Sequence, residues 1–338
     1  MSTNCKTAGW TYDQNEPDDQ NCFCACTAGT RRQSPGTMGR TPLMDQRPVL
    51  VLGGSGRLGR MMQLLRPVQD GHWHFQSRRP APWANLIWDG TPTDAALAHY
   101  LEHHRPRAIL NLIGRTTAPD TAAFNAANVD IPAHLLTLAK RHCVPHLALV
   151  SSAAVYGTQP DRVDTPETAS LHPLSHYGRS KVLMEQIAQT QEGAGPQISI
   201  LRIGNVAGAD TLLSLAEKGS LALDLLEDDT TPVRSYIGPR DLAQTLSVVM
   251  NAPPRRRTNV LNIAHPQPVT LGELARAYKS KLNSALIWAK RRAPAHTIPK
   301  VVLNTNALET LNPSTRYAAP AVAFASQVTD LRRELALQ

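Results

Sequence analysis

Nowhere in its 338 residues does the chain hold an apolar run approaching the ~18–20 uncharged residues that a membrane helix needs. Its first residues also lack the apolar stretch of a secretory signal, so no membrane partner and a cytoplasmic location are expected. Aromatic residues are scarce at 5%, and no basic segment interleaved with aromatics occurs, which argues against a nucleic-acid partner. Acidic residues are outnumbered, 27 against 35 Lys and Arg, for a formal charge of +8. With the basic residues scattered, this balance suits a protein that handles anionic small ligands such as nucleotides. Cysteines number only five: Cys5, Cys22, Cys24 and Cys26 cluster near the start, and Cys143 stands alone. That count and clustering do not make a disulfide framework, and C-x-C-x-C with a remote fourth thiol is not a structural-zinc spacing. The histidines, among them His103, His104, His172 and His176, show no ligand pattern either, so no metal is expected and they read as surface or loop residues; Cys143 reads as a core residue.

What is present is a globular composition, 42% hydrophobic and 18% charged. Residues 1–44, rich in small and polar types, read as a disordered tail. From residue 48 short apolar runs alternate with longer amphipathic segments. Strands are predicted at 48–52, 73–76, 85–88, 108–113, 146–151 and 198–203. Helices are predicted from 58, over 95–103, over about 120–142 with Pro132 in the first turn of a second helical segment, and over 176–192. Strand–helix alternation of this kind predicts an α/β fold, a Rossmann-type doubly wound parallel sheet. The domain would span 45–207 with a returning segment at about 234–265, and 208–233 with 266–338 would form a small C-terminal substrate-binding subdomain. In that last part, helices are expected at 271–282 and 322–337, with 285–300 as a connection.

Gly53-Gly54-Ser55-Gly56-Arg57-Leu58-Gly59 sets G-x-x-G-x-x-G between the first strand and the first helix. Side chains there would block close approach of the backbone to a pyrophosphate, and the helix start behind it offers free N–H groups and a positive dipole end. Gly53, Gly56, Arg57, Leu58 and Gly59 are therefore candidate dinucleotide contacts; a glycine-rich turn with no ligand is the alternative. NAD sites usually carry an acid after the second strand to accept from the ribose 2′-OH. Ser77-Arg78-Arg79 stands there instead. An arginine clamps a 2′-phosphate that a carboxylate would repel, so NADP is expected over NAD. Asp89, closing the third strand, is a candidate partner for an adenine amino group.

Tyr177 and Lys181 lie four residues apart, hence on one face of a helix. A nearby ammonium is expected to lower the phenol pKa and make it a usable acid and base near neutrality. Ser151-Ser152 ends a strand 25 residues upstream of Tyr177 (from Ser152), and ligands of open parallel sheets bind at the carboxyl ends of strands. The set G-x-x-G-x-x-G, Ser-Ser-Ala-Ala-Val-Tyr-Gly at 151–157 and Y-x-x-x-K resembles the extended short-chain dehydrogenase/reductases, in particular the NAD(P)-dependent epimerase/dehydratase family that includes UDP-glucose 4-epimerase. Further agreeing stretches are 111–114, Asn128-Val129, 201–208, 234–237 with 241–243, and 262–264 with 268–271, so the resemblance covers about residues 47–338.

The resemblance implies Ser152 and Tyr177 at the substrate hydroxyl, Ala153 at the substrate, Lys181 on the nicotinamide ribose, and Leu112, Gly114 and Asn128 at the cofactor. It implies Asn205 and Arg234 on the diphosphate of a nucleotide sugar, and a homodimer packed through the two long helices. Dehydratases of the family carry an Asp-Glu pair where this chain has Ala153-Ala154, so epimerase or reductase chemistry is expected. The segment between Gly208 and Arg234 is short for a UDP-glucose 4-epimerase, which leaves open a reductase of a non-sugar ketone. A non-catalytic NAD(P)-binding sensor or assembly protein is the alternative of a different class.

Overall fold

Four residues with no exposed side chain, Val49–Leu52, form the central strand β1. The computed structural model describes residues 45–67, 72–159, 164–191, 193–219, 221–252, 256–282, 285–295, 297–311 and 320–337; the expected tail at 1–44 lies outside the described residues. Around β1 gather β2 (Trp73–Ser77), β3 (Leu86–Ile87), β4 (Ala108–Asn111), β5 (His146–Ser152), β6 (Gln197–Ile203) and the strand Thr258–Ile263. They make one seven-stranded sheet, all pairs parallel, in the order Thr258–Ile263, β6, β5, β4, β1, β2, β3. Register is set by pairs such as Val49 with Trp73 and Ala108, and Ser152 with Ile203.

Alternation along each strand sends one set of side chains to each face, and both faces are covered. Val49, Val51, Leu110, Ala148 and Leu201 pack with Met61, Met62 and Leu65 of α1 (Arg57–Leu65) and with Leu242, Leu246 and Val249. Leu50, Leu52, Ile109, Leu147, Leu149 and Ile200 pack with α2 (Ala96–His104) through Leu97 and Leu101. Strand order reverses between β1 and β4, and at such a switch the flanking loops diverge and leave a crevice beyond the carboxyl ends.

The stretch expected as two helical segments is α3 (Thr121–Asn125), a π-helical turn (Ala126–Asp130) and α4 (Ile131–Arg141), with Pro132 in the first turn of α4. Asp120 caps α3 by accepting from the Ala123 N–H at 2.8 Å. α5 (His176–Gln189) is likewise capped by Ser175, whose hydroxyl accepts from the Gly178 N–H.

Three expectations are corrected. Residues 285–300 are more than a connection: Ala289–Arg292 pairs in parallel with Ala222–Leu225, and Lys300–Val301 with Val233–Arg234. All four residues of Ala289–Arg292 are exposed, so no apolar period announces the strand. Cys143 is exposed, not in the core: it turns the chain between α4 and β5 with φ of 50°. The third strand is cut to two residues because only Gln76 and Ser77 pair with it. No helix among the described residues is long and apolar enough to cross a membrane.

Candidate active site

The glycine loop folds back on itself at the end of β1. Gly53 has φ of +84°, and a Cβ on Gly59 would fall on the Gly53 carbonyl oxygen and lie 2.6 Å from Gly54 Cα. Only glycine permits so close a turn. Gln76 of β2 holds it from beneath: its Oε1 accepts from the Gly53 N–H at 2.8 Å, and its Nε2 donates to the Trp88 carbonyl at 2.6 Å. Gly56, the N-cap of α1, offers no side-chain cap and the first turn carries no acid, so the helix N–H groups face the crevice open to an anion. This cradle fits a pyrophosphate.

On the other side of the crevice, β5 delivers Ser152 and α5 delivers Tyr177 and Lys181. Ser152 Oγ accepts from the Ala154 N–H at 3.2 Å and lines the same cavity as Tyr177. Lys181 is 3% exposed; its Nζ donates to the Val150 carbonyl at 2.8 Å and lies 6.0 Å from the centre of the Tyr177 ring. Burial pulls the Lys181 ammonium down to about 8, with Glu185 opposing. The lowered phenol expected for Tyr177 is not what the structure holds: burial pushes it up, and the Ser152 side chain offsets this only in part. Desolvation outweighs the ammonium because Lys181 spends its charge on a carbonyl at 2.8 Å while the ring centre is 6.0 Å away.

Two cavities meet along Leu112–Arg115. One of about 350 Å³ is lined by Gly56, Arg57, Leu58, Gly59, Ser152, Tyr177, Lys181 and Asn205. The other, about 550 Å³, is lined by Gly53, Gly56, Arg78 and Asp89, and both share Leu112 and Gly114. The crevice therefore runs from the phenol–ammonium pair, past the glycine cradle, to an arginine and an aspartate at the far end. Among the described residues, no group of three or more His, Cys, Asp or Glu is placed to hold a metal ion.

Residues 49–264 match the sequence pattern of the NAD dependent epimerase/dehydratase family. The chain belongs to this family. It is 32% identical over 184 residues to a UDP-glucose 4-epimerase of Rhizobium meliloti (strain 1021), an alignment spanning 49% of this chain and 54% of that protein. It thus matches about half the length of that relative. Over a longer span, 85% of this chain and 94% of the relative, it is 27% identical to a UDP-glucose 4-epimerase of Streptococcus mutans. Among solved structures, a UDP-glucose-4-epimerase from Stenotrophomonas maltophila superposes with a TM-score of 0.72 over 86% of this chain and 99% of that one, at 20% identity. That likeness establishes the fold.

Within this epimerase/dehydratase framework, five expected site residues lie off the cavity linings. Ser77 is buried, its Oγ accepting from the Arg79 N–H, and Arg79 points to solvent. Asn128 is fully buried: its Oδ1 accepts from the Arg115 N–H, and its Nδ2 donates to the Arg115 carbonyl and to Ser180 Oγ. With all three bonds spent, it braces the loop after β4 from the π-helical turn. Arg234 donates to the carbonyls of Val233, Ile298 and Pro299, so its guanidinium is committed to the 298–299 backbone. Ala153 begins a short 3-10 turn and packs on the cluster around Val155 and Tyr156.

Other residues were missed. Gln76, a polar residue inside an apolar strand pattern, was visible as an anomaly. Arg115 lines both cavities, and Thr116, Asp210 and Thr211 line the first. Arg57 also does more than line: its Nη1 donates to the Ala209 carbonyl at 2.6 Å, tying the glycine loop to the chain beyond β6. Asp89, which lines the second cavity, already accepts from the Thr91 N–H and hydroxyl through Oδ1.

Proposed function

We propose that the protein is a nicotinamide-dependent epimerase or reductase acting on a secondary alcohol or ketone of a nucleotide sugar. The observation that carries this reading is the convergence of Ser152, Tyr177 and Lys181 on one cavity that continues past the glycine cradle to Arg78 and Asp89. Gly53–Gly59, Leu112, Gly114 and Lys181 would hold a nicotinamide dinucleotide, which when bound supplies hydride acceptance and return at the carbinol carbon. Ser152 donates to the substrate oxygen and orients it. Tyr177, half-buried and with its phenol pushed up from the ordinary value, is competent to protonate a carbonyl oxygen. In the opposite direction it must accept the alcohol proton, and the Lys181 charge favours the phenolate that results. Asn205, exposed on the cavity wall, is the candidate contact to a substrate diphosphate. Ala153 and Ala154 cannot move a proton, which disfavours dehydration. Residues 208–233 and 266–338 would build the substrate side, and the UDP-glucose 4-epimerase relatives support a nucleotide sugar as substrate.

One observation favours a second reading, a reductase of a non-sugar ketone: Arg234 is held by backbone carbonyls and does not line the cavity. Mass spectrometry of a panel of nucleotide sugars and simple ketones, with and without added reduced cofactor, separates the two. Isomerisation of a nucleotide sugar without net cofactor use supports epimerisation, and stoichiometric use supports reduction. No conversion of any nucleotide sugar, with turnover of a plain ketone, would replace the first reading by the second.

The finer cofactor preference is for NADP. Arg78 is exposed just beyond β2 and lines the far cavity, and the Ser77-Arg78-Arg79 stretch that closes β2 and continues past it carries no carboxylate. A charge-assisted contact contributes about 1.5–3 kcal/mol. Arg78→Ala is expected to weaken NADPH binding by about ten- to a hundredfold and leave NADH within about twofold, read by fluorescence titration. NADH bound more tightly than NADPH by the unaltered protein would refute the preference.

A further inference from the structure

Tyr177, Lys181 and Glu185 form a single stripe along α5, each four residues from the next. Glu185 is 1% exposed and bears a charge the proton-transfer chemistry does not use. It meets Arg202 of β6 in a two-pronged pair, Nη2 to Oε2 at 2.6 Å and Nε to both carboxylate oxygens at 3.1 Å. Among the described residues this is the only ion pair with both side chains buried. Arg202 also donates to the Tyr156 hydroxyl at 2.9 Å and the Glu167 carbonyl at 2.8 Å, and Tyr156 in turn donates to Asn262 at 2.7 Å. Such a pair is no better for stability than apolar packing, so stability alone does not account for it.

Its place in the fold does. The hydroxyl of Ser151 donates to Glu185 Oε1 at 2.5 Å, and Lys181 donates to the carbonyl of Val150, the residue before. Two consecutive residues of β5 are thus tied to two consecutive turns of α5, immediately ahead of Ser152. We propose that Glu185, clamped by Arg202, is the positioning residue of the proton-transfer pair: one helical turn beyond Lys181, its carboxylate fixes the end of β5 against α5, and so fixes Ser152 against Tyr177. This role rests on the reading of Tyr177 and Lys181 given above.

The groups that face Lys181 are few. Tyr177 and Glu185 come from its own helix, the Val150 carbonyl from β5, and Asn128 from the π-helical turn, which shares the space beside Gly114 with Lys181 Nζ. Arg202 stands behind Glu185. Glu185 is the one negative charge in that set and works against the burial that depresses Lys181. Without it, Lys181 loses its proton at a lower pH.

The test is a set of variants read without turnover. Lys181→Met is placed in the wild type, in Glu185→Gln and in Glu185→Gln/Arg202→Met, and each pair is unfolded with denaturant from about pH 6 to about pH 10. Lys181 in the folded protein sits at about 8, below its ordinary value, so its buried ammonium costs stability below that pH and the cost fades above it. Lys181→Met should therefore stabilise the wild type at neutral pH, with a gain that shrinks from about pH 8 upward. In both Glu185 backgrounds the shrinkage should start about one pH unit lower. The double variant leaves no unpaired Arg202, so it reports even if Glu185→Gln alone folds poorly. Where turnover is measurable, the alkaline limb of kcat should move down with it, KM should stay within about twofold, and Glu185→Asp should restore the limb. Identical pH dependence in all backgrounds would overturn the assignment. A shifted stability curve in a protein with no turnover would instead count against the functional reading alone.

Discussion

Replacing Tyr177 by phenylalanine is expected to cut turnover by about a thousandfold while leaving dinucleotide affinity within about twofold. The variant deletes one oxygen. It keeps the ring, which packs 6.4 Å from that of Phe124, and it leaves the Lys181 bond to the Val150 carbonyl untouched. The hydroxyl it removes belongs to the phenol that lines the cavity together with Ser152 and Lys181. Steady-state kinetics with the best substrate of the panel, beside a fluorescence titration with reduced dinucleotide, separates chemistry from binding. Turnover within tenfold of the wild type would show that another group moves the proton.

Gly59→Ala is the second large effect, and it acts on the opposite side of the crevice. The added methyl has no room: it would press on the Gly53 carbonyl oxygen and on Gly54, both backbone atoms of the loop. Overpacking of this kind costs about 1–3 kcal/mol. Because α1 is anchored by Met61, Met62 and Leu65 in the core, the loop is the part that yields, and the open N–H groups move off the position a pyrophosphate needs. If the strain is relieved only by that movement, dinucleotide affinity falls by about a hundredfold with the thermal midpoint lowered by a few degrees. Unchanged affinity would mean that the loop does not carry the pyrophosphate.

The parts of this fold that repeat a local rule were legible in the residues. An unbroken apolar run before a glycine loop, a Tyr and Lys one turn apart, and a Ser pair at a strand end each announce themselves within a few positions, and the structure brings them to one crevice. What stayed hidden depends on partners far away in the chain. Arg234 looked free to meet an anion, yet carbonyls 64 and 65 residues later satisfy it. That Asn128 bonds the Arg115 backbone could not be read either, because a π-helical turn is what brings it there. Glu185 lies in plain view one turn beyond Lys181, but its meaning comes from Arg202, which reaches it only because β5 and β6 pair in register from His146 with Gln197 to Ser152 with Ile203. The upward push on the Tyr177 phenol is not legible either, since charge spacing is visible in a helix pattern and desolvation is not.

A crystal structure with a nicotinamide dinucleotide bound tests the central claim most directly. The nicotinamide ring should rest in the cavity beside Tyr177, with Lys181 on its ribose and the pyrophosphate over Gly53–Gly59. A ring seated away from the Tyr177 hydroxyl, or a dinucleotide bound elsewhere on the chain, would contradict the account.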